Sequence, residues 1–202
     1  MAGFSAQKEV QEAIDKTHDD LVSAANKFLK KGDHVLDIGC GAGAYLKHFT
    51  KDFVAHGIDL NADMIEAGTK NLPAAEFIYA DFLKYDFRQQ FKFIYSVSVL
   101  EFIAPSDLNS FFKKVHDLLL PEGIFFLHYP HALSKHVLHY PDLYYLEYSP
   151  ALIEAKAKKN FEIITHHHGY DGRMVEKYDQ QPYGNGARIF KNGYLLIALK
   201  KK

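Results

Sequence analysis

The sequence predicts an α/β protein: a doubly wound, mostly parallel seven-stranded sheet with an antiparallel last strand and helices on both faces. Three observations carry that expectation. Short runs rich in Val, Ile, Phe and Tyr alternate with helix-like segments along most of the chain, the signature of parallel strands linked by crossover helices. The first run, His34-Val35-Leu36-Asp37-Ile38, breaks into Gly39-Cys40-Gly41-Ala42-Gly43, a strand ending in a tight glycine turn that opens a helix. Between the last two runs there is no convincing helix, only a Gly-rich polar loop, so these two pair as a long antiparallel hairpin.

Taken in order, residues 5–31 place Val10, Ile14, Leu21, Ala25, Phe28 and Leu29 at helical spacing with charges between them, an amphipathic helix or pair of helices. Strands are expected at His34 to Ile38, Phe53 to Asp59, Ala75 to Tyr79, Phe91 to Ser98 and Gly123 to His128. A helix is expected over Ser106 to Leu120, where Leu108, Phe111, Phe112, Val115, Leu118 and Leu119 form one stripe before Pro121 and Gly123 end it. Ser149-Pro150 starts another, with serine as cap and proline in the first turn, running from Ala151 to Lys159. Strands at Phe161 to Ile164 and Tyr194 to Leu199 close the chain. The expectation is a single domain over 1–202, with an N-terminal helical segment 1–31, a substrate lid at 129–148 and a connecting loop at 169–192.

Composition bounds the function. A chain of 202 residues, 48% hydrophobic, suffices for one well-packed domain. A formal net charge of −1 gives no overall basic field for a nucleic-acid backbone, so nucleic acid is disfavoured as a partner. Cys40 is the single cysteine and forms no internal disulfide. The first thirty residues are charged throughout, without the apolar core of a secretion signal, which points to the cytoplasm. No apolar run approaches the roughly 20 residues needed to span a bilayer, so no membrane partner is expected.

Glycines at 39, 41 and 43 let a ligand approach the backbone with no Cβ in the way. Two further acids, Asp59 and Asp81, stand at the ends of the next two strands. The series Val-Leu-Asp-Ile-Gly-Cys-Gly-Ala-Gly, then Gly57-Ile58-Asp59-Leu60-Asn61 with Met64-Ile65, then Tyr79-Ala80-Asp81-Phe82, then Val99-Leu100-Glu101, resembles the class I S-adenosylmethionine-dependent methyltransferases in order and spacing. The resemblance runs from about residue 30 to 130. It implies a Rossmann-like methyltransferase fold, S-adenosyl-L-methionine as cofactor and a small molecule as methyl acceptor. It also implies roles. Gly39, Cys40, Gly41 and Gly43 would form the turn against the methionine moiety and ribose, and Asp37 would reach the ammonium. Asp59 would accept the ribose hydroxyls, Asp81 the adenine amino group, and the backbone N–H of Phe82 would donate to a ring nitrogen. Leu60 and Met64 would wall the adenine, and Ser96, at the end of the fourth strand, completes the cofactor-binding set. In bland terms Asp37 and Asp59 are strand-end acids capping helices, Asp81 begins a turn, and Cys40 fills the glycine turn.

The chain departs from the family after its fourth strand. Where many small-molecule members carry Leu-Glu-His, Glu101 is followed by Phe102, and Lys92 stands where an acid is common. The usual candidate base is therefore missing, which leaves Glu101, itself open to reading as a helix cap. The Asn-Pro-Pro-Tyr type of signature is absent too. The stretch after the fifth strand, from His128-Tyr129-Pro130-His131 through His136, His139, Tyr140, Tyr144 and Tyr145 to Tyr148, is dense in aromatic and titratable groups. It follows a strand at the edge where ligands lie in such sheets, so His128, Tyr129 and His131 join Glu101 as catalytic candidates, with core packing as the alternative for the aromatics. His166-His167-His168 do not make a metal site, because adjacent side chains alternate across a strand; no metal is expected. Two rivals stay open. Gly39-x-Gly41-x-x-Ala44 also satisfies the dinucleotide fingerprint, which would make the protein an NAD-dependent oxidoreductase. The other is a methyltransferase-like protein that binds cofactor or a partner without catalysis.

Overall fold

The computed structural model describes residues 17–130, 148–168 and 194–201. Seven strands, β1 (His34–Ile38), β2 (Val54–Asp59), β3 (Glu76–Tyr79), β4 (Phe91–Val97), β5 (Leu119–Pro130), β6 (Phe161–His168) and β7 (Tyr194–Lys201), form one sheet in the order β3-β2-β1-β4-β5-β7-β6. The first five run parallel, and β7 lies antiparallel to both β5 and β6. The mostly parallel sheet with its antiparallel last strand is as expected. The order reverses between β1 and β4, the place where a doubly wound sheet opens a crevice beyond the carboxyl ends of its strands.

Strand periodicity sorts the apolar side chains into two cores. On one face Leu21 and Ala25 of helix α1 (17–28) pack with Val35, Phe93, Tyr95, Ile124 and Phe126. Val10 and Ile14, expected on the same stripe, lie outside the described residues. On the other face, Leu108, Phe111, Phe112 and Val115 of α3 (Leu108–Leu118) and Ile153 and Ala157 of α4 (Pro150–Ala157) cover Leu36, Ile94, Phe125 and Leu127. Helix α2 (Ala62–Asn71) is capped by Asn61, whose side chain accepts from Met64 N–H. Ser149 caps α4 in the same way through Leu152 N–H, with Pro150 in the first turn.

Two local expectations are corrected. The glycine turn does not open an α-helix; it leads into a three-residue 3-10 turn, Leu46–His48. Gly39, Gly41 and Gly43 all hold positive φ, which keeps the chain out of the right-handed helical region until Ala44. And α3 ends at Leu118, so that Leu119 and Leu120 begin β5 rather than end the helix. Polar side chains hold that switch: Gln90 Nε2 donates to the carbonyls of Asp117 and Leu119, and Lys201 Nζ donates to Leu119. Lys92 is structural here, donating to the carbonyls of Pro121 and Glu122.

At the opposite, amino-terminal end of the sheet, buried His56 pairs with Glu76 (Nδ1 to Oε2, 2.8 Å) and with His34 (Nε2 to Nδ1, 3.0 Å). Burial lowers the pKa of His56, with Glu76 opposing and His34 adding to the fall.

Candidate functional site

A cleft of about 740 Å³ opens at the carboxyl end of the sheet, bordered by residues following β1, β2, β3 and β4. Of the residues singled out in the sequence, Gly39, Asp59, Leu60, Asp81 and Phe82 border it. Leu60 is among the most exposed large apolar residues, while the Phe82 ring packs against Phe87 and Phe111.

The three turn glycines differ in what surrounds them. A Cβ on Gly39 would stand 2.1 Å from Val99 Cγ2, and one on Gly43 would stand 2.8 Å from Phe77 Cζ, so both are small because protein packs on them. A Cβ on Gly41 would meet nothing within 4 Å. Gly41 is the glycine whose missing side chain leaves open space. Cys40 is a buried filler whose Sγ would lie 2.7 Å from a Cβ on Gly57, and burial raises its pKa, followed by Asp37 and Asp59.

Asp59 holds the turn together. Its Oδ2 accepts from Gly41 N–H and its Oδ1 from Asn61 N–H, both at 2.8 Å. Asp81 accepts from Leu83 N–H at 2.9 Å and pairs with Lys84 at 3.1 Å, so it caps a turn while bordering the cleft. Met64 is half exposed on α2 outside the lining.

Asp37, Ser96, Glu101, His128 and Tyr129 are buried and do not border the cleft. Desolvation pushes the Asp37 carboxyl up to about 8, with Asp59 adding to the rise. The Tyr95 hydroxyl opposes it without making a full hydrogen bond. Glu101 lies in a 3-10 turn, Leu100–Phe102, and burial raises it to about 8 as well. His128 Nε2 lies 3.1 Å from Thr17 Oγ1 of α1, and burial drops the imidazole to about 3. The Tyr129 ring belongs to the α3–α4 core, and burial raises its pKa. His128 and Tyr129 thus point to opposite faces of β5. His131, His136, His139, Tyr140, Tyr144 and Tyr145 lie outside the described residues, as do the side chains of His166 to His168.

Sequence reasoning missed Ser98, Val99, Phe102 and Ile103, which border the cleft. Val99 and Phe102 sit inside the motif read for Glu101. Ser98, at φ +55°, carries no signal in its residue type.

The buried side-chain oxygens that lack a hydrogen-bond partner among the described residues are Asp37 Oδ2, Tyr95 Oη, Ser96 Oγ, Glu101 Oε2 and Tyr129 Oη. All lie in the carboxyl halves of β1, β4 and β5 or just beyond. Buried polar atoms are nearly always paired, which makes these five notable at the edge of the sheet where the cleft opens.

Their titration has a sign. Asp37 and Glu101, held near 8 in the fold, favour the native state fully below the ordinary carboxylate range and lose that favour as pH rises to 8. His56 and His128, held low, favour it above pH 6.5 and lose that favour in acid. The tendencies oppose each other from about pH 4.5 to 6.5, leaving only the carboxyls between 6.5 and 8, at up to roughly 1.4 kcal/mol per pH unit each. Ligand-free protein should therefore melt lower at pH 8 than at pH 6.5. Asp37→Asn and Glu101→Gln should each reduce the slope. A flat profile in the parent would mean that both carboxyls are already ionised.

Comparison with known proteins gives the class first. The fold superposes on N-methyltransferase NodS from Bradyrhizobium japonicum WM9, determined in complex with S-adenosyl-L-homocysteine, with a TM-score of 0.70 at 13% identity over 93% of this chain and 86% of that chain. The architecture is the Rossmann-like methyltransferase fold. Residues 35–123 match the family model described as a methyltransferase domain. Over 105 residues the chain is 32% identical to cyclopropane-fatty-acyl-phospholipid synthase of Escherichia coli K12, covering 50% of this chain and 27% of that protein. Over 86 residues it is 33% identical to dTDP-3-amino-3,4,6-trideoxy-alpha-D-glucopyranose N,N-dimethyltransferase of Streptomyces venezuelae, covering 42% and 35%. The matches span about a quarter to a third of these relatives' length. Over residues 35–123, from β1 into β5, the chain is similar to methyltransferase domains. Among the described residues no helix is long and apolar enough to cross a membrane.

Proposed function

We propose that this protein transfers the methyl group of S-adenosyl-L-methionine to a small-molecule acceptor. The observation that carries the reading is the set of unpartnered buried oxygens beside a cleft bordered by Asp59 and Asp81. When bound, the cofactor supplies an electrophilic methyl on a sulfonium. Asp37 offers its Oδ2 to the ammonium, whose charge would favour the ionised carboxylate. Asp59 spends one lone pair of each oxygen on the turn, and the others are available to the ribose hydroxyls. The open space at Gly41 admits close approach to the backbone. Asp81 with the Phe82 backbone faces adenine, and Leu60 gives it an apolar wall.

In-line displacement depends on positioning and exclusion of water, and a base matters only where the acceptor must lose a proton. Glu101 is our candidate, because a carboxyl held near 8 is poised for proton exchange at neutral pH. His128 suits that role poorly: its imidazole stays neutral to about pH 3, and Nε2 is engaged with Thr17. The names of the relatives point to acceptors as different as a fatty acyl phospholipid and an amino sugar nucleotide, which fits a small molecule without choosing among them.

The test is incubation with methyl-labelled S-adenosylmethionine and a small-molecule extract, followed by fractionation. Label in the small-molecule fraction that falls at least about 100-fold in Glu101→Gln is expected. Label in protein or nucleic acid instead, or none while cofactor binding is intact, would count against the reading.

Binding itself should carry a proton signature. With its carboxyl pushed up to about 8, Asp37 should ionise when it meets the ammonium, so S-adenosylhomocysteine binding at pH 7 should release close to one proton and should tighten by up to about tenfold for each unit that pH rises toward 8. Calorimetry in two buffers of different ionisation enthalpy measures this. Asp37→Asn should abolish the release; its persistence would assign the proton elsewhere.

A further inference from the structure

We propose that His128 is a positioning residue that ties the seating of α1 to the shape of the cleft, through Thr17 on one side and Ser98 on the other; this rests on the cleft being the cofactor site. The side chain reaches α1: Thr17 Oγ1 and His128 Nε2 are 3.1 Å apart and both residues are buried. The backbone reaches the cleft: the His128 carbonyl accepts from Ser98 N–H at 2.9 Å. Ser98 borders the cleft at φ +55°, a left-handed conformation that a serine keeps only where its surroundings enforce it. Val99, next in the chain, lies directly on Gly39, the first glycine of the turn.

One residue thus spans the distance from α1 to the turn. The last paired residue of β4 in its ladder with β5 is Val97, opposite His128, so beyond it the bond from Ser98 is what continues the connection. With the imidazole fixed by Thr17, the end of β5 is held, its carbonyl is aimed, and Ser98 is kept in its strained conformation with Val99 seated on Gly39. Without that bond Ser98 is free to relax toward extended backbone, carrying Val99 off the turn.

The experiment compares the parent, Thr17→Val, Thr17→Ser, Ser98→Gly and the Thr17→Val/Ser98→Gly pair, by calorimetry with S-adenosylhomocysteine and by thermal melting. Thr17→Val should weaken binding about 5- to 10-fold, the size of one lost buried hydrogen bond, and Thr17→Ser should restore it. In the Ser98→Gly background Thr17→Val should weaken binding less than about 2-fold, because glycine holds a left-handed conformation without support. The loss in melting temperature from Thr17→Val should be the same in both backgrounds, which separates positioning from plain stability. Equal affinity losses in the two backgrounds, or no loss in Thr17→Val alone, would overturn the proposal. A parent that binds no S-adenosylhomocysteine overturns the reading of the cleft first, and this inference with it.

Discussion

Gly39→Ala should lower the melting temperature by about 5 to 15 °C, the largest stability effect of any single change in the glycine turn. Two costs add. The new Cβ would stand 2.1 Å from Val99 Cγ2, with Val99 Cβ and Cγ1 at 3.3 Å, so Val99 must move to make room. Overpacking of that kind costs about 1 to 3 kcal/mol. The residue also sits at φ +75°, where an L side chain adds about 1 to 2 kcal/mol. For a cooperative unit of 150 to 250 residues each kcal/mol moves the midpoint by roughly 2 to 4 °C. Gly41→Ala is the contrast: it carries only the backbone cost, since nothing stands within 4 Å of its Cβ. Gly41→Ala should melt within a few degrees of the parent yet bind S-adenosylhomocysteine far more weakly, and Gly41→Val should abolish binding. A Gly41→Val protein that melts like the parent and still binds would show that the turn is not the cofactor cradle.

Asp59→Ala should reduce S-adenosylhomocysteine affinity by at least about 100-fold, because the two charge-assisted hydrogen bonds we propose it makes to ribose would each be worth about 1.5 to 3 kcal/mol. The change is not confined to the ligand. Asp59 also accepts from Gly41 and Asn61 N–H groups, so removing it strips both supports from the turn and should cost about 1 to 3 kcal/mol of stability. Asp59→Asn keeps one acceptor oxygen and the side-chain volume. It should recover much of the stability and little of the affinity. A folded Asp59→Asn protein with parental affinity would take Asp59 out of the site.

Asp59 shows what the sequence discloses and what it withholds. Its place at a strand end after an apolar run is local information, and so are the strand positions, the Ser149-Pro150 helix start and the glycine cluster. Which glycine is small for the ligand and which for the protein is not local. Gly39 is fixed by Val99 and Gly43 by Phe77, partners 60 and 34 positions away in the chain. The same holds for the catalytic candidates. A period of two puts His128 and Tyr129 on opposite faces, but only the packing of α1 on one side and α3 and α4 on the other tells that both rings are enclosed. The missing α-helix after the turn has a local cause that was open to reading: three glycines in five positions resist a right-handed helix as readily as they admit a ligand. Ser98 was out of reach, since nothing in a serine announces a positive φ imposed by a carbonyl 30 residues downstream.

The most direct measurement is calorimetry of the purified protein with S-adenosylmethionine, S-adenosylhomocysteine and NAD in parallel, with thermal shifts on the same samples. Both sulfur nucleosides should bind at one site per chain and raise the melting temperature, and NAD should do neither. Binding of NAD in preference, or no heat and no shift with either S-adenosyl compound, would contradict the assignment of the cleft.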